Sequence, residues 1–151
     1  MRARHRDRRG RGIRGPLAPP DVPVTRSRSD QFDELVLDAV ERLERRWADE
    51  LRDVEVAVED IPPATAVGDP ARASPGAPAV PLGQSLPAVA GRAARIVVYR
   101  RPVEVRAQST RSRTALVYDV VVERVAELLG LPPHVVDPDY GAGSDRDGEA
   151  D

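Results

Sequence analysis

Apolar positions along the chain fall into a few patterned stretches separated by polar or Pro/Gly-rich segments. After Ser29-Asp30, residues Phe32, Leu35, Val36, Ala39, Val40, Leu43 and Trp47 recur at i, i+3 and i+4. That period predicts an amphipathic helix running to about residue 47. Ser29 or Asp30 suits its N-cap, and Asp30, Asp33 and Glu34 suit the positive end of its dipole. Arg42, Arg45 and Arg46 then lie in its last turns. Residues 53–60 alternate Val54, Val56 and Val58 against Glu55, Ala57 and Glu59, the period of a strand with one buried face. Ile61-Pro62-Pro63 stops it. Arg95-Ile-Val-Val-Tyr-Arg-Arg101 predicts a second strand, closed by Pro102, with Val103 and Val105 continuing as a short edge or turn. From about Ser112 to Leu129 a second helix is expected, ended by Gly130 and Pro132-Pro133. Its Val120-Val121-Val122 run has poor helix propensity, so length and terminator carry that reading.

Between the two strands the pattern disappears. Of the 32 residues from 61 to 92, 19 are Pro, Gly or Ala and three are charged, as in a loop or linker. Val80-Pro-Leu-Gly-Gln-Ser-Leu86 is its most structured-looking piece. Residues 1–28 carry too little apolar surface to offset the entropy of ordering, and the acidic, Gly-containing stretch 139–151 resembles them in this. Both are expected to be disordered. The organisation read from the chain is an Arg-rich arm at 1–28, one folded domain at 29–138 with its loop at 61–92, and an acidic tail at 139–151. The fold class is α+β: a first helix, a sheet of two to four strands, and a final helix packed on it.

Composition narrows the chemistry. The chain has 151 residues, 40% hydrophobic but only 3% aromatic, so its core must be built from Val, Leu and Ala. All 23 basic residues are Arg, and Lys, Asn and Cys are absent. Disulfide scaffolds, Cys-ligated zinc, Cys nucleophiles and a P-loop lysine are thereby excluded. Two histidines, His5 and His134, exclude a three-histidine metal site within one chain. No apolar run approaches 18 residues, and none follows the N-terminal arginines as in a secretory signal, which predicts a cytoplasmic protein. The formal net charge of −2 is uneven. Residues 1–30 hold nine Arg against three Asp, and the remainder holds 14 Arg against 22 acids.

One resemblance covers about residues 29–137. The order of helix, alternating strand ending in Glu-Asp, Pro-rich loop, Ile96–Pro102 strand and helix closed by Gly130-Leu131 resembles the minimal zincin-like metallopeptidases of bacteria. Its most specific parts are Phe32–Leu43, Val56–Asp60 and Ile96–Pro102 with the following helix. The all-Arg, Ala/Val/Pro-rich composition suits an actinobacterial branch. The resemblance implies a small zincin-like α+β domain and, for the family, a zinc cofactor held by His-Glu-x-x-His. Side chains at i and i+4 share a helix face and can both reach one ion, while the Glu serves as general base on the metal-bound water. Aligned on Gly130, the ligand positions here are Glu123 and Glu127, and the base position is Arg124. The motif is degenerate: both histidines are replaced, and the base is replaced by a guanidinium that stays protonated. The expectation is therefore a family member without zinc or peptidase activity, acting as a structural or binding protein.

Two alternatives remain open. Glu123 and Glu127, with His134 as a candidate third ligand, would make a divergent metal-dependent hydrolase using carboxylate ligands. Against this, Asp119, Glu123 and Glu127 form one stripe opposite Val117, Tyr118, Val121, Val125, Leu128 and Leu129, which a solvated helix face explains. The other alternative is polyanion or weak non-specific nucleic-acid binding through Arg2, Arg4, Arg6, Arg8, Arg9, Arg11 and Arg14. No aromatic lies among these arginines, so base stacking is not expected. A solvated tail is the plain reading of the same residues. His134 reads as a surface or half-buried residue, Ser109, Ser112 and Thr114 as helix-start residues, and Ser85 lacks a Gly-x-Ser-x-Gly setting. Gly10-Arg-Gly12 has no strand before it and no helix after it, so it is not a dinucleotide fingerprint.

Overall fold

A computed structural model describes residues 27–66 and 80–142. The arm at 1–26 with its seven candidate arginines, the centre of the loop at 67–79 and the tail from 143 lie outside the described residues. The first helix, α1 (Arg28–Leu51), begins two residues earlier than the pattern suggested, on Ser27. Ser27 Oγ accepts from the Asp30 amide at 3.1 Å and the Asp30 carboxylate accepts from the Ser27 amide at 3.3 Å, a reciprocal capping box. Phe32, Val36, Ala39, Val40 and Leu43 form its buried stripe, as their spacing requires. At Trp47 the backbone leaves helical geometry (φ −120°, ψ 31°), and α1 resumes beyond this kink to bury Leu51. Arg42, Arg45 and Arg46 close the segment before the kink, where the pattern put the helix end, and a further turn to Leu51 follows it.

Three strands form one sheet in the order β1-β3-β2. β1 (Glu55–Glu59) runs parallel to the central β3 (Arg95–Tyr99), with Val56 opposite Ile96 and Val58 opposite Val98. The Val80–Leu86 piece of the loop supplies β2 (Gly83–Leu86), antiparallel to β3. β3 is buried on both faces, which explains why Ile96–Tyr99 reads as a continuous apolar run instead of an alternation. Ile96 and Val98 join Val56 in the main core, and Val97 and Tyr99 point to the opposite side of the pleat.

Pro102 does not close a strand. It stands in the first turn of α2 (Arg100–Arg106), where a missing N–H costs nothing because the first helical donors have no intrahelical partner. Val103 is buried and Val105 is exposed, as the two faces of a helix and not the continuation of an edge strand. α3 (Thr110–Leu129) opens on a second capping box between Ser109 and Ser112 and closes on Gly130, whose φ of +68° is the left-handed cap that glycine adopts without a Cβ clash. α3 packs on the sheet, on α1, and on the short α4 (Pro133–Val136). That threefold enclosure buries Val120, Val121 and Val122 together and outweighs their weak helix propensity.

Candidate functional site

The motif positions lie on the C-terminal half of α3, between the β2 edge and the turn that follows α4. Set at 100° per residue from Val117, Arg124 falls at about 340°, between Val120 and Val117 and thus towards the sheet. It cannot bury its charge there, so it reaches the strand edge. Its Nη1 donates to the Gly83 carbonyl at 3.1 Å, and Ser85 Oγ returns a bond to the Arg124 carbonyl at 2.8 Å. The Gly83 carbonyl is available because adjacent residues alternate, and Leu82, just before β2, spends its carbonyl on the Tyr99 amide of β3 at 2.9 Å. Gly83 is also needed sterically. A Cβ there would lie 2.8 Å from the Val97 carbonyl and 3.3 Å from Arg124 Cγ.

The same guanidinium sits between the two carboxylates at the ligand positions, 3.5 Å from Glu123 and 3.6 Å from Glu127. A small depression of about 280 Å³ between β2 and α3 has Arg124 and Glu127 in its wall. On the other flank, Tyr140 donates its hydroxyl to Glu123 Oε1 at 2.5 Å, and the Gly141 amide reaches Asp119 at 3.4 Å. Burial first, and then the bond to Glu123, push the Tyr140 phenol well above its ordinary range, so it remains a donor. The segment from Asp139, expected to be unstructured, thus begins as a turn laid against α3. Its approach is fixed by further contacts. Trp47 Nε1 donates to the Val136 carbonyl at 2.9 Å, Tyr118 donates to Asp137, and Arg42 stacks 4.5 Å above the Tyr118 ring. Arg42 also lies 3.4 Å from Asp139.

The stripe Asp119, Glu123, Glu127 therefore differs from a free solvated face: Glu123 is half-buried under Tyr140, and only Glu127 is exposed. His134 is exposed on α4. Among the described residues, no three His, Cys, Asp or Glu side chains come together as a group that could hold a metal ion, and Glu123, Glu127 and His134 are not such a set. Ser109 and Ser112 cap α3 as their position suggested, and Thr114 donates to the Thr110 carbonyl at 3.1 Å. Ser85 is bonded to backbone and has no base beside it.

Comparison with protein families decides what this helix descends from. Residues 51–142 match the zincin-like metallopeptidases. The chain belongs to that family. The match spans β1, the loop, β3 and α3, and continues through Tyr140; it starts after Phe32–Leu43, which the resemblance had included. No curated protein was found to match the chain. The residues present do not fit the family's zinc. A cation already stands between the two ligand positions, and one Glu123 oxygen is taken by a phenol. Pattern reading named Arg124 but not its bond to β2, although the helical wheel sets it beside Val117 and Val120; it missed Tyr140, which carried no periodic signal.

Proposed function

We propose that this family member is not a peptidase and serves as a structural or binding protein, built on a zincin-like domain whose catalytic helix has become part of the scaffold. The observation that carries this is the placement of Arg124. A guanidinium cannot accept a proton at any physiological pH, so the general-base position has no base. Its bonds to the Gly83 carbonyl and its position between Glu123 and Glu127 use the space and the charge that a metal ion would need. A cytoplasmic location belongs to the same reading; no helix among the described residues is long and apolar enough to cross a membrane. Incubating the purified protein with a mixed peptide pool, with and without chelator, tests the proposal. No cleavage above background is expected, and chelator-sensitive cleavage would overturn it.

A second reading, binding of polyanions through residues 1–28, is favoured by seven arginines among the first 14 residues. Gel-shift titration of the full chain against a variant with those seven changed to Gln decides it. Equal retention of both forms at low salt would end that reading.

A further inference from the structure

The folded domain has its own basic region, distinct from the arm. Residues 92–113 hold seven arginines (92, 95, 100, 101, 106, 111 and 113) and one acid, Glu104, whereas residues 27–66 hold twelve acids and five arginines. Ion pairing sorts these arginines. Arg95 lies 3.6 Å from Glu59, and Arg100 is held by Asp60 at 2.9 Å and by Glu104 at 3.1 Å. Glu104 Oε2 is thereby taken, while its buried Oε1 has no hydrogen-bond partner. Arg101, Arg106, Arg111 and Arg113 have no carboxylate within ion-pair distance among the described residues. All four sit on α2 or in the first turn of α3; Arg101, Arg106 and Arg111 are exposed, Arg111 in the wall of a groove that Asp38, Asp119 and Asp139 also line. The Arg113 Nε is buried without a hydrogen-bond partner.

α2 is anchored so that this corner is fixed. The Arg101 amide donates to the Asp60 carbonyl at 3.0 Å, the Ala107 amide closes α2 on Val103 at 2.9 Å, and Val103 is fully buried. On such a frame no backbone has to be ordered when a phosphate binds, and the guanidinium fork matches two phosphate oxygens at once. α2 alone, at seven residues, extends on the order of 10 Å, enough to meet successive phosphates of one strand. An anionic membrane is the competing partner for a basic helix. Surface docking of that kind takes a large apolar face with Trp, Phe or Leu. Here the exposed apolar residue on α2 is Val105, and Phe32, Trp47 and Tyr99 are committed to the interior and its edge.

We propose that the α2–α3 corner, through Arg101, Arg106, Arg111 and Arg113, is a contact surface for the phosphate backbone of nucleic acid. This deepens the polyanion reading of residues 1–28 and rests on different residues, so the two fail separately. Binding is sequence-independent and strongly salt-dependent, since no aromatic side chain is placed to stack on bases.

The test uses the full chain, a labelled random-sequence DNA duplex, and vesicles of phosphatidylcholine and phosphatidylserine, each titrated across a salt series. R101Q/R106Q/R111Q is compared with R45Q/R46Q, exposed arginines on the acidic α1, and with the arm variant; circular dichroism and Tm confirm that each is folded. Loss of three phosphate contacts lowers the slope of log K against log salt by about 2.7 and weakens duplex binding at least about tenfold near 0.1 M salt. R45Q/R46Q leaves the slope unchanged. If R101Q/R106Q/R111Q binds the duplex like the unaltered protein while the arm variant does not, the corner is not a contact surface and the arm reading alone survives. Binding to the vesicles but not the duplex would overturn the proposal in favour of a lipid surface.

Discussion

α1 and α3 are comparable in build, at 24 and 20 residues, each opening on a capping box and each burying an apolar stripe, yet their charges are used differently. On α1, residues such as Glu41, Arg45, Arg46 and Glu50 point into solvent, away from a one-sided apolar stripe. On α3, three charges meet another part of the chain: Glu123 meets Tyr140, Arg124 meets Gly83, and Asp119 meets Gly141, while Glu127 stays exposed. The difference follows from enclosure. α1 has one neighbour-facing side, whereas α3 is wedged between the sheet, α1 and the C-terminal turn. The stretch of α3 from Asp119 to Arg124 therefore borders protein on most sides, and its charges are paired or hydrogen-bonded there, while Arg111 and Glu127 nearer the helix ends stay exposed.

Deleting apolar volume should not tell the two helices apart. Leu43→Ala on α1, at a site 2% exposed, should cost about 2–5 kcal/mol, and Val121→Ala on α3, fully buried, about 2 kcal/mol. Chemical denaturation measures both. If α3 tolerated its deletion freely, the enclosure described for it would be wrong. Truncating a charge should separate them. Arg124→Ala leaves the Gly83 carbonyl unpaired and two carboxylates uncompensated, at about 1–3 kcal/mol, while Arg45→Ala should stay within about 0.5 kcal/mol. Equal effects of the two would erase the comparison.

A finer probe is alkaline pH. Tyr140 and Tyr99 both have phenols raised above 10.0, Tyr140 mainly by burial and then by Glu123, Tyr99 mainly by burial and then by Glu59. The folded state holds these protons more tightly than the unfolded chain. Their contribution is therefore complete below about pH 10 and is lost as pH rises above it. Tyr140→Phe should cost about 1 kcal/mol at neutral pH and flatten that alkaline loss. The smallest change is expected at Glu127, 57% exposed on its side chain: Glu127→Gln should alter stability by less than about 0.5 kcal/mol.

Much of the fold was legible because burial and periodicity coincide in it. The α1 stripe, the β1 alternation, the β3 run and the Gly130 stop all mark elements that were recovered, and the most structured-looking piece of the loop became β2. α2 was not legible, since Pro102 is equally at home at the end of a strand and in the first turn of a helix. The proposed degenerate motif was legible as residue types, since alignment on Gly130 puts Glu123, Arg124 and Glu127 at the positions the resemblance gives to ligands and base. Its physical consequence was not. Arg124 meets Gly83, 41 residues away, and Tyr140 meets Glu123 across α4; neither contact has a local signature.

The central claim is that a guanidinium, tied to β2, has taken the place of the family's zinc chemistry. Elemental analysis of the purified full chain after equilibration with zinc and removal of the free ion tests this most directly. The expected result is no stoichiometric zinc and a Tm unmoved by zinc or chelator. One zinc per chain, lost on changing Glu123 and Glu127 to Gln, would contradict it.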